Sequence, residues 1–129
     1  MDLSIEVSSV IASHAPKKLA QFYGQLNNTE VIQGMNNNHF FILIGDGFKI
    51  EFYRPSKDLP WPKIGNTSSL CFKKQTTEES LQVLCDWSAD LIKLGGREIT
   101  EPRVESFGAE LWFEDPEGNQ FLLLVTNAH

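Results

Sequence analysis

A chain of 129 residues, 41% hydrophobic and 22% charged, has the make-up of an ordinary folded domain and needs no disulfide or metal to hold a core. Its formal net charge is -6, and Lys17-Lys18 and Lys73-Lys74 are its only basic pairs. That excludes the dense positive footprint selected by nucleic acid or anionic lipid. No stretch approaches the ~18 consecutive apolar residues of a membrane helix, and the start, MDLSIEVSSV, is no secretory signal, so the expected compartment is cytoplasmic. Two cysteines, Cys71 and Cys85, without a CxxC spacing read as buried thiols of a reducing compartment rather than as zinc ligands.

In chain order, LSIEVSSVIA (3–12) is rich in β-branched residues and predicts a strand. Pro16 suits the first turn of a helix, and Leu19, Phe22, Tyr23 and Leu26 then form one apolar stripe that ends at Asn27-Asn28. TEVIQG, HFFILIG and FKIEFYR predict three strands joined by MNNN and GDG turns. PSKDLPWPKIGN (55–66), with three prolines and no periodicity, is a linker in which Trp61 is placed to close over a mouth. TSSLCFKK predicts a further strand. A capping box from Thr76 to Glu79 opens a second helix, which carries Leu81, Leu84, Leu91 and Leu94 on one stripe and stops at Gly95-Gly96. REITEPRV, AELWFED and NQFLLLVT predict three closing strands. DPEG (115–118) has the residues of a type I turn between the last two, and FLLLV, apolar on both faces, suits a central strand.

The order β-α-β-β-β thus occurs twice, about 65 residues apart, in an α+β chain. One domain over 1–129 is expected, with a module at about 3–54, a linker at 55–66 and a module at about 67–127. Phe22-Tyr23, KIEF (49–52), SSLCF (68–72) and WFEDPEGNQFLLL (112–124) resemble the vicinal oxygen chelate superfamily of glyoxalases, bleomycin-resistance proteins and extradiol dioxygenases. The resemblance covers nearly the whole chain. It implies two modules that form a cupped, incomplete mixed β-barrel with helices outside and a pocket in the cup. It also implies, for metal-using members, two histidines and one or two glutamates on the first, fourth, fifth and last strands. Those positions fall here on Ser8, Glu51, Ser69 (Ser68 in a register shifted by one) and Leu122. One carboxylate, two hydroxyls and an alkyl group do not hold a transition metal, so no metal and no cofactor are expected, and metal-dependent glyoxalase or dioxygenase chemistry is disfavoured. His14, His39 and His129 fall at none of these positions and read as surface or capping residues.

Strand alternation from the implied positions gives the expected ligand-binding set: Ser8, Val10, Phe41, Lys49, Glu51, Tyr53, Ser69, Cys71, Lys73, Glu110, Trp112 and Leu122. Ala109, Leu111 and Phe113 are assigned to the helix-covered face. Glu51 is the catalytic candidate. It reads either as a carboxylate of raised pKa that grips a cationic or hydroxyl group or acts as base, or as a structural partner of Lys49, Lys73 or Tyr53. Trp112 reads as pocket wall or core. Cys71 has no histidine beside it to make it a nucleophile. The expected function is binding of a small organic molecule, with a homodimer implied by the bleomycin-resistance branch. The alternatives are an enzyme that uses Glu51 as base or a metal site in another register, and an interaction module with a vestigial pocket.

Overall fold

The structure, a computed structural model, describes residues 8–57, 60–62 and 69–128. The expected strand residues 3–7 and the alternative position Ser68 lie outside them. The chain divides into two compact units, within residues 1–63 and 64–129.

In the first unit, β1 (Ser8–Ala12), α1 (Pro16–Leu26), β2 (Ile32–Gln33), β3 (His39–Ile44) and β4 (Phe48–Tyr53) follow in the expected order. The sheet order is β1-β4-β3-β2, with β1 parallel to β4 and the other pairs antiparallel. Pro16 opens α1, and Asn28 adopts φ 53° just past its end, where a short amide side chain tolerates the left-handed conformation. Leu19, Phe22 and Tyr23 of the expected stripe are buried. The helix covers Phe40, Ile42, Ile50 and Phe52, the even-numbered side of the central strands, and the Tyr23 and Phe52 rings stack with centroids 5.5 Å apart. Because side chains alternate along a strand, His39, Phe41, Lys49, Glu51 and Tyr53 must occupy the other face.

The second unit contains β5 (Leu70–Thr76), α2 (Ser80–Lys93), β6 (Arg97–Glu98), β7 (Arg103–Glu105), β8 (Gly108–Glu114) and β9 (Gln120–Asn127). Its sheet order, β5-β9-β8-β6 with β7 also on β8, repeats that of the first unit, including the parallel pairing of first and last strands. REITEPRV is two short strands rather than one. Ile99 and Thr100 both donate backbone N–H to the Trp112 carbonyl, so the chain bulges out of the ladder, and Pro102 has no N–H to restore it. The expected capping box is also absent. The helix begins at Ser80 with Glu79 as its N-cap, and the Thr76 hydroxyl accepts the Glu78 N–H in a local turn.

Helix α2 buries Leu84, Trp87, Ser88 and Leu91. Ala109, Leu111, Phe113, Phe121, Leu123 and Val125 are buried on one side of β8 and β9, which α2 contacts. Trp87, absent from the expected leucine stripe, joins this core and carries the Lys74 ammonium 4.4 Å from its ring centre. β9 is central, paired on both sides, although Leu122 and Leu124 on its second face are only half-buried.

DPEG forms the expected turn. The Gly118 N–H donates to the Asp115 carbonyl at 3.0 Å, and Gly118 takes φ 87°, a conformation open to glycine. Asp115, 2% exposed, accepts the Glu117 and Asn119 N–H groups and the Asn119 side-chain amide. Both described helices are too short to cross a membrane. Phe52→Ala is expected to cost about 3–5 kcal/mol of stability as a cavity opens under α1, whereas Phe48→Ala at the exposed start of β4 should change it by less than ~1 kcal/mol; urea denaturation of the two variants checks the difference.

Candidate functional site

The face of the first sheet turned away from α1 carries a connected polar group. Ser8 and Lys49 are register partners on β1 and β4, and Phe41 on β3 lies opposite Glu51. The Ser8 hydroxyl donates to Glu51 Oε2 at 2.6 Å, and His39 Nε2 lies 3.0 Å from Glu51 Oε1. Lys49 Nζ stands 4.0 Å from the same oxygen and 4.4 Å from the centre of the Phe41 ring. The Tyr53 hydroxyl donates to the Pro60 carbonyl at 3.3 Å.

His39 belongs to this group, which corrects its reading as a surface or capping residue. Its register partner is Tyr53, and its ring reaches diagonally back to Glu51. The sequence signal was its position two residues before Phe41 on a strand whose Phe41 side was already assigned to the site. The Met35 N–H donates to His39 Nδ1 at 3.0 Å, so Nδ1 is an acceptor and the ring proton sits on Nε2, pointing at Glu51. The ring is packed against Gly34, where an added Cβ would fall 1.9 Å from Nδ1; only glycine lets the β2–β3 turn close over the imidazole.

Glu51 also departs from expectation. Its partners are Ser8 and His39, with Lys49 farther away, and neither Lys73 nor Tyr53 bonds to it. Its pKa is lowered from the usual 4.5, not raised. The Ser8 hydrogen bond is the largest cause; burial opposes it, and His39 and Lys49 add to the lowering. Glu51 is therefore an anion at neutral pH and a weak base.

The second unit keeps its share of the expected residues on its own sheet. Cys71, Leu122 and Trp112 lie side by side across β5, β9 and β8, and Lys73, Leu124 and Glu110 form the next row. All are on the face opposite α2. Glu110 lies 3.7 Å from Arg103, whose guanidinium also donates to Glu105 at 2.7 Å. Trp112 is 39% exposed, which is not a core position. Ser69 is exposed just before β5 begins, and Val10 is exposed on β1. Cys71 and Cys85 are both exposed rather than buried. Partial desolvation still pushes the Cys71 thiol above its usual pKa, opposed by Lys73, so it is a poor nucleophile. Trp61 packs on His14 with ring centroids 4.5 Å apart.

The donor set does not fit the metal implied by the resemblance. Ser8 spends its proton on Glu51, His39 Nε2 carries a hydrogen where a ligand needs a lone pair, and Leu122 offers none. Among the described residues no three His, Cys, Asp or Glu side chains group in a way that would hold an ion.

Because the Glu51 pKa is depressed, its contribution to stability is complete above the unfolded value and is lost as pH falls through the folded one. Ser8→Ala is expected to move the Glu51 titration upward toward 4.5, and carboxyl carbon NMR reads the shift directly. An unmoved midpoint would show that the Ser8 bond does not govern the carboxylate.

No family model and no curated protein matches the chain. Solved structures do. A glyoxalase/bleomycin resistance protein from Albidiferax ferrireducens aligns at TM-score 0.65 and 19% identity, over 98% of this chain and 100% of its own. A glyoxalase/bleomycin resistance protein/dioxygenase family enzyme from Burkholderia phytofirmans aligns at TM-score 0.70 and 17% identity, over 95% and 97%. A lactoylglutathione lyase from Agrobacterium tumefaciens aligns at 0.57 and 14%, over 99% and 96%. Two β-α-β-β-β units with matching strand orders, and these likenesses along nearly the whole chain, establish that the chain has a glyoxalase/bleomycin-resistance-like fold.

Proposed function

We propose that this chain binds a small organic molecule on the face of its first sheet turned away from α1, without a metal ion. The observation that carries the reading is the Glu51 carboxylate, ionised and held between Ser8 and His39 beside a lysine-capped phenylalanine. A fixed charge next to an aromatic surface is the usual composition of a site that orients a small ligand. The lowered pKa of Glu51 favours binding over proton abstraction, because a carboxylate this acidic takes up a substrate proton poorly. A homodimer is part of the proposal and is carried by the resemblance to the bleomycin-resistance branch alone.

A thermal-shift screen of small metabolites and aromatic antibiotics tests the reading. Binding predicts at least one compound that raises the melting temperature in a concentration-dependent way. Glu51→Gln keeps the shape of the side chain but removes the charge, and it should weaken the hits by roughly tenfold, the scale of one charge-assisted hydrogen bond. Hits that bind the variant equally well would place the site elsewhere. Light scattering at micromolar concentration checks the dimer, and a monomer would remove that part of the proposal.

A further inference from the structure

A count of donors and acceptors on the face of the first sheet turned away from α1 names the class of ligand that fits it. The Ser8 hydroxyl proton goes to Glu51 Oε2, and the His39 Nε2–H goes to Glu51 Oε1. His39 Nδ1 is filled by the Met35 N–H, and the Tyr53 hydroxyl proton goes to the Pro60 carbonyl. Among the described residues, the neutral side-chain donors of Ser8, His39 and Tyr53 on this face are therefore spent inside the protein. Acceptors are not: a carboxylate offers about four lone-pair sites, and the two hydroxyl oxygens keep theirs. The remaining donor among the described residues of this face is the Lys49 ammonium. It stands 4.0 Å from Glu51 Oε1, the outer limit of an ion pair, and its side chain is 37% exposed against 21% for Glu51. A pair that long and that wet holds weakly.

From this inventory we infer that the site takes a molecule with a cationic nitrogen donor, an ammonium or amidinium, joined to a small aromatic or apolar body. The nitrogen hydrogens bond to Glu51, and the apolar body lies against Phe41. Lys49 occupies the place of that nitrogen in the free protein, bridging the carboxylate and the ring as the ligand would. A carboxylate or phosphate ligand meets the opposite match, with lone pairs facing lone pairs and one mobile lysine to receive it. The inference rests on the binding reading and adds the sign and donor character of the ligand.

The test is a titration of the full chain with benzylamine and, separately, with benzoate, followed by amide NMR. Saturable shifts centred on Ser8, Phe41, Lys49 and Glu51 with benzylamine, and none with benzoate, are expected. Glu51→Gln should weaken benzylamine by roughly tenfold, while Lys49→Met should tighten it, because the variant removes the internal competitor. The tightening cannot arise from a merely structural role, and it keeps the test decisive if Glu51→Gln fails to fold. Benzoate shifting the same amides would overturn the cationic assignment and leave the binding reading standing. Silence from both probes overturns the assignment as well, and silence joined to an empty thermal-shift screen overturns both. Loss of benzylamine binding in Lys49→Met would also refute the inference.

Discussion

Each unit rests on the same constraint: the apolar stripe of one helix is covered by one face of a short sheet, and strand alternation sends every second residue to the opposite face. In the first unit Tyr23 stacks on Phe52, and Ile42 and Ile50 are fully buried, so alternate residues on β3 and β4 have no other side to occupy. A one-residue slip would put Glu51 under the helix and Phe52 in its place. Burying an unpaired carboxylate and exposing a phenylalanine both oppose that slip. The register that protects the core is therefore the register that gathers Ser8, His39, Lys49 and Glu51.

How the polar face holds a carboxylate follows from its neighbours. Two donors, on strands either side of β4, point at the two oxygens of Glu51, and that pairing lowers its pKa against the opposing effect of burial. The imidazole donor is itself oriented by a backbone N–H from the β2–β3 turn, and the turn closes only because position 34 lacks a side chain. A loop glycine, a backbone amide, a histidine and a carboxylate thus form one chain of contacts from the sheet edge to its central strand. In the same chain of contacts the His39 Nε2 hydrogen serves Glu51.

The second unit repeats the topology with different chemistry. Its β8 and β9 correspond in sheet position to β3 and β4, and its face opposite α2 carries Trp112, Leu122 and Leu124 with Glu110 drawn toward Arg103. The carboxylate there is matched by a guanidinium, and the middle of the face is apolar. Repetition of the order β-α-β-β-β fixes where side chains can be placed and leaves their identities open, so one unit presents a linked Ser8-Glu51-His39 cluster and the other presents Trp112, Leu122 and Leu124 flanked by acidic residues paired to arginines.

Much of this was written in the sequence. The double β-α-β-β-β order, the helix started by Pro16, the DPEG hairpin and the split between Ala109, Leu111, Phe113 and Glu110, Trp112 all follow from local preferences and period-two alternation, which act within a few residues. What spacing cannot express is which side chains on neighbouring strands touch. His39 was legible as a strand residue, but its bond to Glu51 depends on antiparallel register and on a turn folding back over the ring. The pKa of Glu51 was misjudged in sign because burial is suggested by composition while hydrogen-bond partners are not. The capping box and the single strand at REITEPRV failed for a related reason: Thr76 is held at the end of β5 by pairing with β9, and the REITEPRV segment is split by its pairing with β8, so pairing across the sheet prevailed over local motifs. The sequence by itself determined the units, their faces and the residues available to each face; only the tertiary structure decided which of those residues meet, because contacts between strands are set by register over distances that no local pattern spans.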